Sequence, residues 1–171
     1  MKARGRAWVF GDDVNTDLII PGRYLENYDP AHLASHAMEG ARKEFAGQVR
    51  KGDIVVAGNN FGCGSSREQA VIALKAAGVS AVVAKSFARI FYRNAINLGL
   101  PAIVSKDAHV VFSDGDMVLL DSSLGLMRTE DDAKKSSIDR VPSHVEHILA
   151  AGGLVPFLKS KLRSEGTNRD V

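Results

Sequence analysis

Three short apolar runs alternate with two helix-length segments in the middle of the chain, and this alternation restricts the fold more than any other feature. The runs at residues 53–57, 81–84 and 102–104 have the length and composition of buried strands. The segments between them, residues 66–77 and 88–98, are each followed by a glycine, as helices often are. This order predicts parallel strands joined by right-handed crossovers. We therefore predict an α/β fold with a small parallel core sheet flanked by helices.

The rest of the sequence adds further strands and helices to this core. Asp29 and Pro30 predict the start of a helix, because Asp is favoured as N-cap and Pro at the first helical position. The additional elements predicted are a strand at 6–10, a polar loop at 11–23, a helix at 30–45, a hairpin of two strands at 109–112 and 117–121, a loop at 130–139 and a helix at 142–151. No linker divides the chain, so we expect one domain over residues 1–162 and a flexible C-terminal tail over 163–171.

The composition excludes several classes of protein. A hydrophobic content of 45% supports a buried core, and a net charge of +2 without a dense Lys/Arg run argues against a nucleic-acid surface. No run of 18 apolar residues predicts a membrane span. Cys63 is the single cysteine, which rules out a disulfide within the chain and favours a reduced, cytoplasmic setting. His32 and His36 are one helical turn apart but lack an evident third ligand, so we predict no metal on this chain.

The segment before the 66–77 helix combines glycines, hydroxyls and an arginine. It runs from Gly62 to Glu68 as GCGSSRE. Glycine allows sharp turns and close approach of a ligand, and a helix start offers unpaired N–H groups to an anion. Ser65 and Ser66 add hydroxyls, and the planar fork of Arg67 matches a carboxylate. The segment therefore predicts a site that holds a carboxylate or phosphate against a serine oxygen.

Familiar nucleotide and nucleophile motifs do not fit this segment. A dinucleotide fingerprint needs a third glycine where Arg67 stands, and the GK[ST] of a P-loop and the GxSxG of a nucleophile elbow are absent. A purely structural interpretation remains open, in which Ser65 caps the helix and Glu68 completes a capping box.

Three segments in order resemble the swivelling domain of the aconitase superfamily. GDDVNTDLIIP, starting at Gly11, resembles the first loop of that domain, and GCGSSRE resembles its Gly-x-Gly-Ser-Ser-Arg-Glu motif. AKSFARI, starting at Ala84, resembles the strand end and helix start that follow. The resemblance covers residues 6–158, and the lack of an attached cluster domain is similar to the stand-alone small subunits of the family.

The resemblance implies a swivelling β/β/α domain that supplies half of a hydro-lyase active site. It implies that a large partner subunit carries a [4Fe-4S] cluster, which acts on the substrate hydroxyl, and that this chain itself binds no cofactor. By motif position, Ser65 is the base, Ser66 assists it through a hydrogen bond, and Arg67 binds a substrate carboxylate. Thr16 and Asp17 would line the same cleft.

The resemblance also implies that the substrate is a small malate derivative. Its variable arm would be recognised by the loop just after residues 22–25, and Tyr24, Leu25 and Tyr28 are suited to wall a pocket for a branched alkyl group. Glu26 would repel an additional carboxylate on that arm. In the alternative interpretation, Glu26 and its neighbour Asn27 point to solvent and specify nothing.

Two other classes of function compete with a catalytic subunit. One is a free-standing anion-binding or regulatory module that uses the same loop. The other is an RNA-binding relative, which the near-neutral charge and the shortage of stacking aromatics disfavour. Co-purification with a larger iron–sulfur protein would separate the catalytic subunit from the anion-binding module.

Overall fold

The computed structural model describes residues 1–166, with side chains through Arg163. Its strands are β1 Lys2–Val9, β2 Ile54–Ala57, β3 Ala81–Ala84, β4 Ala102–Val104, β5 Met117–Asp121, β6 Leu126–Thr129 and β7 Lys135–Ser137. Its α-helices are α1 Thr16–Ile19, α2 Pro30–Ser35, α3 Phe45–Gln48, α4 Glu68–Ala76, α5 Arg89–Asn97, α6 Ala108–Val111, α7 Ser143–Ala150 and α8 Leu154–Gly166. A 3₁₀ turn covers Gly22–Tyr24.

All the strands belong to one mixed sheet with the order β4-β3-β2-β1-β5-β6-β7. The first four strands along the chain run parallel, and β5, β6 and β7 continue the sheet in antiparallel pairs. The predicted parallel core is confirmed, because β2, α4, β3, α5 and β4 follow one another as the sequence indicated. The observed β1 is longer than the predicted strand at 6–10 and joins the parallel half to the antiparallel half.

The sheet curls until its two outer strands meet. The backbone N–H of Asp139, just after β7, donates to the carbonyl of Val104 in β4 at 2.8 Å. The hydroxyl of Ser105 donates to the carbonyl of Ser137 at 2.8 Å and lies 2.8 Å from the hydroxyl of Ser136. Helix α6 packs against β2, β3 and β7 inside this curl.

Both faces of the parallel strands are covered, which explains their continuous apolar sequence. Alternate residues enter two separate cores. Ile54 and Val56 lie in the inner core beside α6, whereas Val55 and Ala57 lie in the outer core beneath the helices. The outer core also contains Trp8, whose indole N–H donates at 2.9 Å to the buried carboxylate of Asp53.

The predicted helix over residues 30–45 is wrong beyond its first turns. Asp29 does cap α2, since its side chain accepts from the N–H of His32, but α2 ends at Ser35. Met38 then adopts φ +57° and donates its N–H to the carbonyl of Ile19 at 2.7 Å. This contact with α1 turns the chain, and α3 forms separately.

The C-terminal half contains two further corrections. Residues 109–112, predicted as a strand of a hairpin, belong largely to α6, and β5 pairs instead with β1 and β6. Residues 130–139, predicted as a loop, contain β7. The predicted helix at 142–151 is confirmed as α7, and α8 continues to Gly166. The rest of the expected tail, 167–171, lies outside the described residues.

No helix among residues 1–166 is long and apolar enough to cross a membrane.

Candidate active site

Three loops leave the carboxyl ends of β1, β2 and β3 and continue side by side. The β2 loop lies in the middle and forms isolated parallel bridges with its two neighbours, Asn15 with Cys63 and Phe61 with Phe87. Backbone hydrogen bonds of 2.7–3.0 Å join the loops, among them Gly62 N–H to Val14 O, Thr16 N–H to Cys63 O, Phe61 N–H to Ser86 O and Ala88 N–H to Phe61 O. The Gly-rich segment is therefore held on both sides at the end of a parallel sheet, where ligands of α/β proteins usually bind.

Hydrogen bonds between two aspartates and two asparagines also join the β1 loop to the β2 loop. The carboxylate of Asp12 accepts from the backbone N–H and the side-chain amide of Asn59, and these two donations lower the pKa of Asp12. Asp13 accepts from the side-chain amide of Asn60 at 2.8 Å. Neither Asn59 nor Asn60 belongs to a motif that predicted this site. The only signal was that both follow directly after a buried strand.

Two glycines give the central loop its path. Gly62 has φ +77°, and a Cβ on it would lie 2.2 Å from the ring of Phe91. Gly64 has φ +92°, and a Cβ there would lie 3.3 Å from the hydroxyl oxygen of Thr16. Both positions require a backbone conformation that favours glycine, and at Gly62 only glycine fits the space.

The hydroxyls of Ser65 and Ser66 are exposed at the end of this loop. Helix α4 begins at Glu68 instead of Ser66, and its N-cap residue, Arg67, makes no side-chain capping hydrogen bond. The interpretation in which Ser65 caps this helix is therefore wrong. The first N–H groups of α4 and the positive end of its dipole stay available beside the serines.

Arg67 and Asp17 form an ion pair across the site. Arg67 Nη1 lies 2.5 Å from Asp17 Oδ1 and 3.4 Å from the carbonyl of Ile20. The Arg67 side chain is only 17% exposed, whereas that of Asp17 is 61% exposed. Asp17 therefore holds a nearly buried guanidinium in place while its own carboxylate stays open to solvent.

Thr16 precedes Asp17 at the start of α1 and is only 2% exposed. Its backbone N–H bonds the central loop, but its hydroxyl oxygen has no hydrogen-bond partner among the described residues. A buried hydroxyl without a partner is costly, and such groups often mark sites that a ligand or water completes.

The predicted specificity residues Tyr24 and Leu25 end the 3₁₀ turn, and both pack against other parts of the chain. Tyr24 stacks on the ring of His36 at 3.6 Å and donates its hydroxyl to Glu39 at 2.9 Å. Leu25 is partly buried against the outer core. Tyr28 is 62% exposed.

Across the chain as far as Arg163, the structure has no group of three or more His, Cys, Asp and Glu side chains that could hold a metal ion. His36 bonds Glu39 through Nδ1 at 2.6 Å instead of forming a metal site with His32. Arg67 and the N-terminus of α4 place positive charge beside an unbonded serine hydroxyl, an arrangement suited to an anion.

A parallel sheet with a Gly-Ser-Ser-Arg loop at its carboxyl edge defines the swivelling-domain class of hydro-lyase subunits. The sequence pattern of the aconitase C-terminal domain family matches residues 13–108, and the chain belongs to that family.

Relatives within the family are similar along nearly their whole length. The small subunit 1 of 3-isopropylmalate dehydratase from Methanopyrus kandleri is 56% identical, with 91% of this chain and 92% of the relative aligned. The methanogen homoaconitase small subunit from Methanothermobacter thermautotrophicus is 59% identical over 89% of this chain and 88% of the relative. The crystal structure of 3-isopropylmalate dehydratase (LeuD) from Methanocaldococcus jannaschii superposes with a TM-score of 0.92 at 49% identity, covering 98% and 99% of the two chains.

Proposed function

We propose that this chain is the small subunit of 3-isopropylmalate dehydratase, a hydro-lyase that moves a hydroxyl group between adjacent carbons of an alkyl malate in leucine biosynthesis. The observation that carries the proposal is the exposed, unbonded Ser65 hydroxyl, which lies on a loop hydrogen-bonded on both sides, two residues before the largely buried Arg67. The names of the relatives support it.

Ser65 is the proposed base, which removes the proton from the carbon next to a substrate carboxylate. A serine hydroxyl is a weak base in water and needs stabilisation of its alkoxide form. The uncapped start of α4 and the nearby Arg67 supply positive potential for this purpose. The hydroxyl of Ser66 is placed to share a hydrogen bond with the base or the substrate.

Arg67 is the proposed carboxylate binder. Only its Nη1 atom is used by Asp17 and Ile20, so its other N–H groups are left for a substrate. Asp17 orients the guanidinium, and the unpartnered hydroxyl of Thr16 offers one further hydrogen bond in the same cleft. Together these groups hold the substrate so that its C–H bond faces Ser65.

The partner is proposed to be a large subunit carrying a [4Fe-4S] cluster, which when bound supplies the Lewis acid for the substrate hydroxyl. The described part of this chain offers no set of cluster ligands, and its single cysteine, Cys63, cannot hold a four-cysteine cluster. A reduced cytoplasmic location fits both the lone thiol and such a cluster.

A related activity is a second candidate. The homoaconitase small subunit is 59% identical to this chain, and the 3-isopropylmalate dehydratase small subunit is 56% identical. Overall similarity therefore supports a tricarboxylate substrate as well as an alkyl malate. A 2,3-dimethylmalate dehydratase is a further possibility of the same class, and a non-catalytic anion-binding module is the alternative outside it.

Reconstitution with the large subunit tests the proposal. Turnover of 3-isopropylmalate is followed by ultraviolet absorbance of the unsaturated intermediate. Ser65→Ala should lower kcat by about 10²–10⁴-fold, the range for loss of a general base, with assembly unchanged. Ser143→Ala, an exposed serine on α7, is the matched control. Near-normal turnover by the Ser65→Ala complex would exclude this residue as the base. Binding of 3-isopropylmalate by the wild-type complex without turnover would favour the non-catalytic anion-binding module.

A further inference from the structure

The 3₁₀ turn Gly22–Tyr24 forms a wall of the proposed active site. A Cβ placed on Gly22 would lie 3.7 Å from Asp17 Oδ1 and 3.9 Å from Arg67 Nη2. Any substrate carboxylate on Arg67 would therefore have this turn beside it. With a malate derivative bound as proposed, the side chains that follow Gly22 would lie next to the variable arm of the substrate.

The carboxylate of Glu39 forms hydrogen bonds with three side chains, two of which belong to the 3₁₀ turn. Glu39 Oε1 accepts from Arg23 Nη2 at 2.5 Å and from the hydroxyl of Tyr24 at 2.9 Å. Glu39 Oε2 lies 2.6 Å from Nδ1 of His36. The hydrogen bond from His36, and then those from Tyr24 and Arg23, hold the pKa of Glu39 below its usual range. Glu39 is therefore an anion at neutral pH that is only 22% exposed.

Ring contacts close this cluster. The ring of Tyr24 stacks on that of His36 with centroids 3.6 Å apart and planes 9° apart. The guanidinium of Arg23 lies over the Tyr24 ring at 4.8 Å. The Arg23 guanidinium thus contacts both a carboxylate and an aromatic face, while its side chain stays 66% exposed.

The backbone around Glu39 is fixed to the helix that carries Asp17. Met38 donates its N–H to the carbonyl of Ile19 at 2.7 Å. A Cβ on Gly40 would lie 2.6 Å from the carbonyl of Asp17, so the two segments touch through backbone. Glu39 therefore links the 3₁₀ turn and α1 in one rigid unit.

We propose that Glu39 is a positioning residue that sets the preference for the substrate's variable arm by neutralising Arg23. Arg23 is the only basic residue between Thr16 and Pro30. With Arg23 paired to Glu39 and Arg67 paired to Asp17, the wall presents no unpaired cation to the arm. The exposed Glu26 that follows adds negative charge. The wall therefore selects an uncharged alkyl arm over a carboxylate-bearing one. This inference rests on the proposed function.

The experiment compares kcat/KM for 3-isopropylmalate with kcat/KM for homoaconitate on the reconstituted complex. Glu39→Gln keeps the size of the side chain but leaves the charge of Arg23 unneutralised. We expect the ratio of the two kcat/KM values to fall about tenfold or more. The ratio is independent of the folded fraction, because both substrates are assayed on one preparation. Glu44→Gln, an exposed residue of the same segment, is the matched control and should leave the ratio unchanged.

A double variant identifies the cause. Adding Arg23→Gln to Glu39→Gln removes the freed cation and should restore the original preference. Arg23→Gln alone should leave the ratio within about twofold, since a neutralised Arg23 does not read the arm.

Three outcomes would overturn the inference: an unchanged ratio in Glu39→Gln, no recovery in the double variant, or selective loss of homoaconitate turnover in Arg23→Gln. Selective loss of homoaconitate turnover in Arg23→Gln would overturn the inference even where Glu39→Gln does not assemble. A folded wild-type complex that turns over neither substrate would instead count against the proposed function.

Discussion

Gly62 and Gly64 allow the steric and conformational demands of the active-site loop to be measured separately. Both have positive φ, +77° and +92°. At Gly62 an added Cβ would meet Phe91 Cγ at 2.2 Å and Phe91 Cβ at 2.4 Å. Because Phe91 Cβ does not move when the ring rotates, either the loop or α5 has to shift. At Gly64 the nearest atom is the Thr16 hydroxyl oxygen at 3.3 Å.

The expected magnitudes follow from these distances. An L-residue in the left-handed region costs about 1–2 kcal/mol, and Gly64→Ala should lose that much free energy of unfolding. Gly62→Ala has the same backbone penalty and in addition overpacks a buried ring, which typically costs about 1–3 kcal/mol. We therefore expect a total loss of about 2–5 kcal/mol for Gly62→Ala.

Urea unfolding of the isolated chain, followed by far-UV circular dichroism, measures both values. The difference between the two variants isolates the contact with Phe91, because the backbone term is common to both. If Gly62→Ala proves no less stable than Gly64→Ala, the close packing of the loop on α5 is not the constraint inferred from the structure.

Three further predictions concern single side chains. Asp53→Ala should lower the free energy of unfolding by about 2–4 kcal/mol, because the Trp8 indole N–H loses its buried acceptor. A loss under about 0.5 kcal/mol, the size typical of surface substitutions, would contradict this prediction. The Ser123 hydroxyl is the main cause that lowers the pKa of Asp121 to about 2 from 3.8. Asp121 therefore stabilises the fold above pH 3.8 and loses that effect as the pH falls through about 2. Asp121→Asn should make the free energy of unfolding depend less on pH in this acid range. A pH dependence equal to that of the wild type would refute the prediction. Arg67→Lys should lower kcat/KM of the complex by about 100-fold, the scale of a misplaced binding group, because an ammonium cannot form the bidentate fork; an unchanged value would exclude Arg67 as the carboxylate binder.

The parallel core was predictable because local and global signals agree there. Each strand between residues 53 and 104 is buried on both faces, so its apolar run is continuous, and each helix between the strands ends close to a glycine. Gly78 and Gly99 adopt φ +100° and +76°, the conformation expected after a helix.

The errors arose where tertiary contacts override local preference. Residues 109–112 are rich in β-branched and aromatic side chains, yet most of them form the helical turn that fills the curled sheet. Strand β7 is polar, with only Ser136 buried, and it forms because β6 pairs with it. Within 30–45 the clearest stop signal is Gly40, yet α2 already ends at Ser35, because the chain turns at Met38 to bond α1.

Much of the candidate site could be located from the sequence, but its electrostatic arrangement could not. Motif order placed Ser65, Arg67 and Asp17 at strand ends that prove to be neighbours, whereas their catalytic and binding roles stay predictions. The direct pairing of Arg67 with Asp17, and that of Arg23 with Glu39, depends on side-chain directions across long separations. No periodicity or spacing in the sequence encodes these partners.

The closure of the sheet has a consequence for the chain before it meets a partner. An outer strand normally exposes a row of unpaired N–H and C=O groups, which act as a template for aggregation. Here β4 and β7 are three residues long, and the carbonyls of Val104 and Ser137 are already bonded to the opposite end of the sheet. The bonded ends of the sheet therefore leave fewer free backbone groups for pairing with the strands of a second chain.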